Sequence, residues 1–403
     1  MSRPISLRWN GWRSPGPWLA LLVVGVGMAA WNTGAPQLYL LALLLASSLV
    51  VGALLPHFNI RGVQVYRSLP REAVEGDEIE MQLALSRTGW LARYLLQVRD
   101  RLPFSPEGRA AIMILRLGRT QALQCPIRCE RRGIHRIGPL TLSSDYPLGL
   151  LRAEVDVPDS EAEICVVPQT FELQGMPLFG HSGFPTDGHQ IGPAARGYDQ
   201  FAAIRDYRQG DSLRHIHWRA SARRGEWVVK EYEQLENAEL LLVLNACTSD
   251  NLGDGRESCF EYSVRIAASI ARFAIENGHR VGLFCQGSQL YWLAPDRGEP
   301  HYRHLLQLLA AVEADSTRPY REMTAAASVL VPRTTRLLLF HTCHASDTDI
   351  LSAPVGSERP PLAVCFDGPS FMGGARLATM SQQSDAPYYW IRAGDNLSER
   401  FAA

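Results

Sequence analysis

Two uncharged apolar runs near the start of the chain set the strongest limit on what it can become. Trp18 to about Thr33 and Gln37 to Leu55 contain no Asp, Glu, Lys or Arg. As helices they extend roughly 24 and 28 Å, close to the ~30 Å hydrocarbon core of a bilayer. Neither run has a polar face, so as soluble core helices they would present nothing to water. The basic start at Arg3, Arg8 and Arg13 also suits a secretory signal. Against that, a second apolar run follows after only Gly34-Ala35-Pro36, with no convincing small-x-small cleavage site before it. The expectation is an anchored helical hairpin. Arg61, Arg67 and Arg71 follow the second run and the connecting loop has no cation, which puts both termini on the cytoplasmic side. Trp12, Trp18, Trp31 and Tyr39 suit the two interfaces. Gly25-x-Gly27-x-x-Ala30 lies inside the first run and lacks the strand that precedes a dinucleotide fingerprint.

The chain has 403 residues with 40 basic and 41 acidic side chains. No global positive field draws it to nucleic acid, and no nucleic-acid partner is expected. Lys230 is the sole lysine and sits in Val229-Lys230-Glu231, so the Gly-Lys-Ser/Thr of a phosphate loop is missing. Cysteines at 125, 129, 165, 247, 259, 285, 343 and 365 form no Cys-x-x-Cys pair. Such scatter fits reduced, mostly buried thiols.

Beyond the hairpin the apolar rhythm divides the chain. Val63–Tyr66, Ile79–Leu85, Tyr94–Val98, Ala111–Leu115 and Ala162–Val167 alternate like strands of an antiparallel sandwich. Arg131 to Pro139 reads as an edge strand with a solvated basic face. Gly175 to Arg196 is rich in Gly and Pro and reads as a linker. From about 236, strands at Leu240–Leu244, Arg280–Cys285, Arg336–Phe340, Leu362–Phe366 and Tyr388–Ile391 alternate with helices at Glu257–Asn277, 299–313 and 321–330. Gln289–Leu293 reads as a hairpin partner of the second strand. The expected organisation is a membrane-anchored α+β multidomain chain: 1–58 with two transmembrane helices (about 18–33 and 37–55), 59–172 β-rich and sandwich-like, 173–196 linker, and 197–403 carrying a doubly wound α/β sheet. Ligands on such sheets bind at the carboxyl ends of strands, here near Asn245, Gln286 and His341.

The densest run of functional side chains is Arg196 to Glu233. Its mixed charge points to internal ion pairs, such as Asp211 with Arg214 or Arg205 with Asp206, or to a binding face. Asp211 or Ser212 is placed to cap a helix through Leu213, Ile216 and Ala220. On that helix His215 and His217 diverge; on a strand they would share a side as metal ligands, but no third ligand is evident. His341, Cys343 and His344 offer three zinc-type donors that only a bent loop would converge. Gly-x-Ser-x-Gly and His-Glu-x-x-His are missing. A hydrolase would have to use Asp211, His217 and Arg214 as base, acid and anion clamp.

The stretch Arg132-Gly133 to Ser144-Asp145-Tyr146-Pro147-Leu148-Gly149, with Arg205-Asp206-Tyr207, Gly210-Asp211, Arg214, His217-Trp218, Ser221, Arg223 and Val229-Lys230-Glu231, resembles the bacterial Domain of Unknown Function 58 (DUF58) family. The resemblance covers most of the chain. It implies a membrane-anchored protein with a von Willebrand factor A-like domain, working beside a MoxR-type AAA+ ATPase and a transglutaminase-like membrane protein, with no enzymatic activity. It implies protein-complex assembly or an envelope-related process, and it makes the motif residues just named an interaction surface. Von Willebrand A domains hold Mg²⁺ through Asp-x-Ser-x-Ser after the first strand. The aligned residues here are Asn245, Cys247 and Ser249: an amide stands for the carboxylate and a thiol for the first hydroxyl, so the site is degenerate. No cofactor is expected. Mg²⁺ would need help from Asp250 or Asp254, and a metal-dependent adhesion module is the alternative that such help would serve.

Overall fold

The computed structural model describes residues 6–8, 15–173, 200–206, 218–233, 239–343, 361–373 and 388–401. They fall into two units, one of Met1–Gln169 with Leu306–Val312, the other of Thr170–Leu305 with Glu313–Ala403. The stretch read as a linker lies outside the described residues.

The first unit opens with strand β1 (Ser6–Arg8) and the apolar helices α1 (Pro15–Thr33) and α2 (Pro36–Ile60). Both are long and apolar enough to cross a membrane. Their large side chains, such as Leu21, Met28, Leu40 and Leu43, stand exposed. Ten strands follow: β2 (Val63–Ser68), β3 (Glu72–Val74), β4 (Glu78–Arg87), β5 (Arg93–Arg101), β6 (Arg109–Leu117), β7 (Thr120–Arg128), β8 (Gly133–Ile137), β9 (Thr141–Ser144), β10 (Arg152–Asp156) and β11 (Ala162–Val167). They form sheets ordered β1-β10-β9-β5-β6, β2-β4-β7 and β3-β11-β8. Since β1 pairs with β10, with Leu7 opposite Ala153, the chain entering α1 and the chain leaving α2 belong to one body. Any bilayer crossed by this hairpin therefore has both flanks on the same side.

The core follows from period-two alternation. In β4, Met81, Leu83 and Leu85 are buried while Glu80, Gln82 and Ala84 are exposed. Leu96, Val98 and Ile114 from the five-stranded sheet join the same cluster. The expected strands occur, four of them longer than expected and Ala162–Val167 with the same bounds. Strand β7, which contains Pro126, was not among the expected strands. It lies at a sheet edge with Pro126 opposite Glu80, the kind of place within a sheet where proline is found. β8 is an edge strand with a half-exposed face, as its basic spacing suggested. Arg67 and Asp100 form an ion pair at 2.6 Å, each side chain 2% exposed.

The second unit contains β12 (Gln200–Asp206), α3 (Trp218–Arg224), β13 (Val228–Glu233), β14 (Glu239–Leu244), α4 (Cys259–Glu276), β15 (Arg280–Gln286), β16 (Leu290–Asp296), part of α5 (Glu299–Ala311), α6 (Tyr320–Leu330), β17 (Arg336–Cys343), β18 (Leu362–Asp367), α7 (Gly368–Phe371), β19 (Tyr388–Ile391) and α8 (Leu397–Arg400). Its main sheet has the order β16-β15-β14-β17-β18-β19. Every neighbour is parallel except β16, which returns from β15 as the expected hairpin. Strands β14 and β18 read as continuous apolar runs because both faces are covered. Met323 and Ala327 of α6 pack on Leu241 and Val243. Right-handed crossovers that leave the first strand in opposite directions put α4 over the other face, the one carrying Leu240 and Leu242.

Helix α4 starts at Ser258, whose Oγ accepts from the Glu261 backbone N–H at 3.3 Å, the Ser-x-x-Glu signature of an N-terminus. It ends before Gly278, which takes a φ of 82° that a glycine adopts without strain. Ser258→Ala is expected to lower stability by about 1 kcal/mol, read as a small drop in Tm of the full chain in detergent.

Candidate functional site

In the main sheet the strand order reverses between β14 and β17, and the crevice beyond their carboxyl ends is where such sheets bind ligands. The loop leaving β14 supplies Asn245, Cys247, Ser249 and Asp250, and the end of β17 supplies His341 and Cys343. These were the positions singled out from sequence, and the fold brings them to one edge.

The geometry of the loop is self-contained. Asn245, 7% exposed, accepts the Cys247 N–H on Oδ1 at 3.1 Å and donates through Nδ2 to Asp250 Oδ2 at 2.8 Å. Ser249 Oγ donates to Asp250 Oδ1 at 3.0 Å and lies 3.1 Å from Cys247 Sγ. Both Asp250 oxygens thus receive protein donors. The loop is also stapled to the segment before α6: the Thr248 N–H donates to the Ser316 carbonyl at 2.9 Å, and the Ser316 N–H to the Ala246 carbonyl at 2.9 Å. Among the described residues no three His, Cys, Asp or Glu side chains converge as metal ligands. His344 lies outside them.

Around the loop, Tyr320 of α6 stacks on His341 with ring centroids 5.4 Å apart. Burial pushes its phenol well above the ordinary tyrosine range, so it holds its proton at neutral pH. Burial also pushes the Cys259 thiol up to about 11, partly opposed by hydrogen bonds. At the end of β18 the fully buried Asp367 faces Arg392, beyond β19, at 3.5 Å. Ser316, Tyr320, Asp367 and Arg392 were not singled out from sequence. They reach the edge from separate segments, and no local spacing announces them.

The motif between β12 and β13 is partly described. Those strands pair antiparallel, with Arg205 opposite Val229, Asp206 opposite Val228 and Ile204 opposite Lys230. Two motif halves some 25 residues apart, Arg205-Asp206 and Val229-Lys230, thus become one two-stranded ribbon. Ser221 of α3 is buried, and its Oγ accepts the Val228 N–H at 2.9 Å, fixing the helix to the start of β13. Arg223 is exposed, Trp218 is 64% exposed and Trp227 is 54% exposed. Tyr207, Gly210, Asp211, Arg214, His215 and His217 lie outside the described residues, as does the proposed helix cap.

Residues 203–337 match the family model described as "Protein of unknown function DUF58". The chain is 24% identical over 317 residues to the "Uncharacterized protein YeaD" of Bacillus subtilis (strain 168), covering 75% of each chain. Among solved structures, the CARDB domain of the PF1109 protein from Pyrococcus furiosus aligns at 13% identity over 27% of this chain and 94% of that one, with a TM-score of 0.20. A β-glucosidase from Listeria innocua aligns at 15% identity over 27% of this chain and 16% of that one, with a TM-score of 0.18. Scores of that size do not mark a shared fold.

Proposed function

We propose, for a chain whose residues 203–337 carry the DUF58 region, that it is a non-enzymatic scaffold or adaptor held at the bacterial inner membrane by its N-terminal hairpin. In this reading both termini and both units lie in the cytoplasm, in keeping with arginines on the two flanks of the hairpin and none in its connecting loop. The second unit is read as von Willebrand A-like. Its strand order, its antiparallel edge strand and the position of the Asn245 loop support that reading.

The observation that carries the adaptor role is the exposure of Trp218 and Arg223, both residues of the family motif, with Trp227 exposed close by in the sequence. Exposed Trp and Arg are the side chains that anchor protein interfaces. The loop at the sheet's carboxyl edge supports the absence of chemistry: its polar groups are spent on one another. The expected partners are a MoxR-type AAA+ ATPase and a transglutaminase-like membrane protein, as the family resemblance implies. Gentle solubilisation with crosslinking is expected to recover such an ATPase with the intact chain, and Trp218→Ala/Trp227→Ala to reduce the recovery at least ten-fold, about 1.4 kcal/mol. Recovery of no ATPase from membranes that retain the chain would overturn the proposal.

A further inference from the structure

The turns at one end of the β-domain gather around the exit of α2. Strand β2 leaves α2 through Arg61-Gly62, and β4 runs back with Arg87 opposite Val63. The β4–β5 turn therefore returns to the helix, where the Thr88 N–H donates to the Gly62 carbonyl at 2.8 Å. Arg87 binds the carbonyls of Gly118 and Gly89, tying the β6–β7 turn to the β4–β5 turn. Arg93 donates to the Arg61 carbonyl at 2.9 Å. Asn59, near the end of α2, donates to the Tyr94 carbonyl at 2.5 Å and to Ser144 Oγ at 2.7 Å, and accepts the Tyr94 N–H at 3.1 Å. The β9–β10 turn, Tyr146-Pro147-Leu148-Gly149-Leu150-Leu151, climbs the helix to Gly52, where a Cβ would stand 2.7 Å from Leu150 Cδ1. Gly52 lies eight residues before the end of α2, about 12 Å up the helix axis.

The chemistry of this end is one-sided. Trp90 is 87% exposed, Leu91 55% and Leu148 50%, and Arg61, Arg116 and Arg119 are exposed beside them. The connecting stretches 61–62, 88–92, 118–119 and 145–151 contain one carboxylate, Asp145, which pairs with Arg152 at 3.4 Å. Burial, and to a smaller extent repulsion from Arg87, holds the Arg93 guanidinium below its ordinary value. The turns at the far end instead mix the signs, with Glu75, Asp77, Glu107, Glu130, Asp159 and Glu161 alongside Arg71, Arg131 and Arg132.

We propose that this end of the β-domain is a docking face for anionic lipid headgroups, with Trp90, Leu91 and Leu148 seated in the interface and Arg61, Arg116 and Arg119 among the phosphates. The inference rests on the reading of the hairpin as membrane-spanning. Its occupant follows from continuity with α2, since a bilayer crossed by α2 comes to within reach of these turns. It follows equally from charge, because a basic rim around exposed Trp and Leu suits an anionic interface. Docking of this kind would fix the domain against the membrane instead of leaving it on a swinging tether.

The test uses the full chain reconstituted in vesicles of phosphatidylcholine, with or without phosphatidylglycerol, containing lipid brominated near the headgroup. The fluorescence of the native chain minus that of Trp90→Phe isolates Trp90, and the native chain minus Trp18→Phe/Trp31→Phe isolates the two hairpin indoles among the nine tryptophans of the chain. The Trp90 signal is expected to be largely quenched in anionic vesicles and much less in neutral ones. Each of Arg61→Gln, Arg116→Gln and Arg119→Gln is expected to lower the docked-to-free ratio roughly five-fold. A Trp90 signal quenched equally in both vesicles, or in neither, while Trp18 and Trp31 are quenched, overturns the docking face alone. Absence of quenching at all three removes the spanning hairpin and the docking face together.

Discussion

Arg67→Met is expected to destabilise the first unit by about 3–5 kcal/mol, the cost of leaving a buried carboxylate without its cation. The pair is almost fully enclosed, each side chain 2% exposed, with Arg67 Nη1 2.6 Å from Asp100 Oδ2. Arg67 also donates to the backbone carbonyls of Ile137, at 3.2 Å, and of Ser160. One guanidinium therefore joins β2 to β5, to the end of β8 and to the turn before β11. Removing it strands three acceptors together. The double variant Arg67→Met/Asp100→Leu is expected to recover most of the loss, because well-packed apolar replacements spare both desolvation penalties. The measurement is Tm of the full chain in detergent for the single and double variants. A single variant within about 1 kcal/mol of the native chain would mean that water reaches Asp100 and that the pair is structurally idle.

The same site carries a signed dependence on pH. Burial raises the Asp100 carboxyl above its ordinary value, and the Arg67 hydrogen bond and charge oppose that rise. In Arg67→Met the opposition is gone, so the folded state holds the proton to a higher pH than the unfolded chain does. A group raised in this way contributes stability that is fully present below its unfolded value, about pH 4, and lost as pH rises through the folded value. The variant's deficit relative to the native chain is thus expected to shrink towards pH 4 and to be full at neutral pH. A deficit that grows on acidification would contradict the assignment of Asp100 as the stranded group.

That ion pair also shows where the sequence stops being legible. Alternation identified most of the longer strands, since Met81, Leu83 and Leu85 announce a buried face by spacing alone. Parallel strands such as Leu240–Leu244 are equally plain, being apolar throughout. Arg67 was read only as one of the arginines flanking the hairpin, because nothing local tells a buried guanidinium from a solvated one; Asp100 lies 33 residues away. The candidate site divides in the same manner. Asn245, Cys247 and Ser249 were visible by alignment to a known loop, and His341 by its place at a strand end. Tyr320 and Arg392 reach that edge only through the winding of the sheet. The pairing of Arg205-Asp206 with Val228-Val229 was likewise hidden, since two short charged segments state no register until a shared ladder gives them one.

Asn245→Asp is expected to lower stability by about 2 kcal/mol when no divalent cation is present. The native amide donates to Asp250 Oδ2 at 2.8 Å; the substitution replaces that donor with a second carboxylate at the same contact, and two like charges so close cannot both ionise without cost. The neighbouring bonds make the loss local, since Ser249 still reaches Asp250 and Ser316 still holds the loop backbone through Ala246 and Thr248. Adding Cys247→Ser supplies a hard oxygen where a thiol stood, and the loop then offers two carboxylates and two hydroxyls, ligands of the kind that Mg²⁺ takes along with water. For this double variant Mg²⁺ at ten times its dissociation constant is expected to restore about 1.4 kcal/mol, while the native chain melts at the same temperature with and without the ion. A double variant indifferent to millimolar Mg²⁺ would show that the loop's oxygens do not converge on one point.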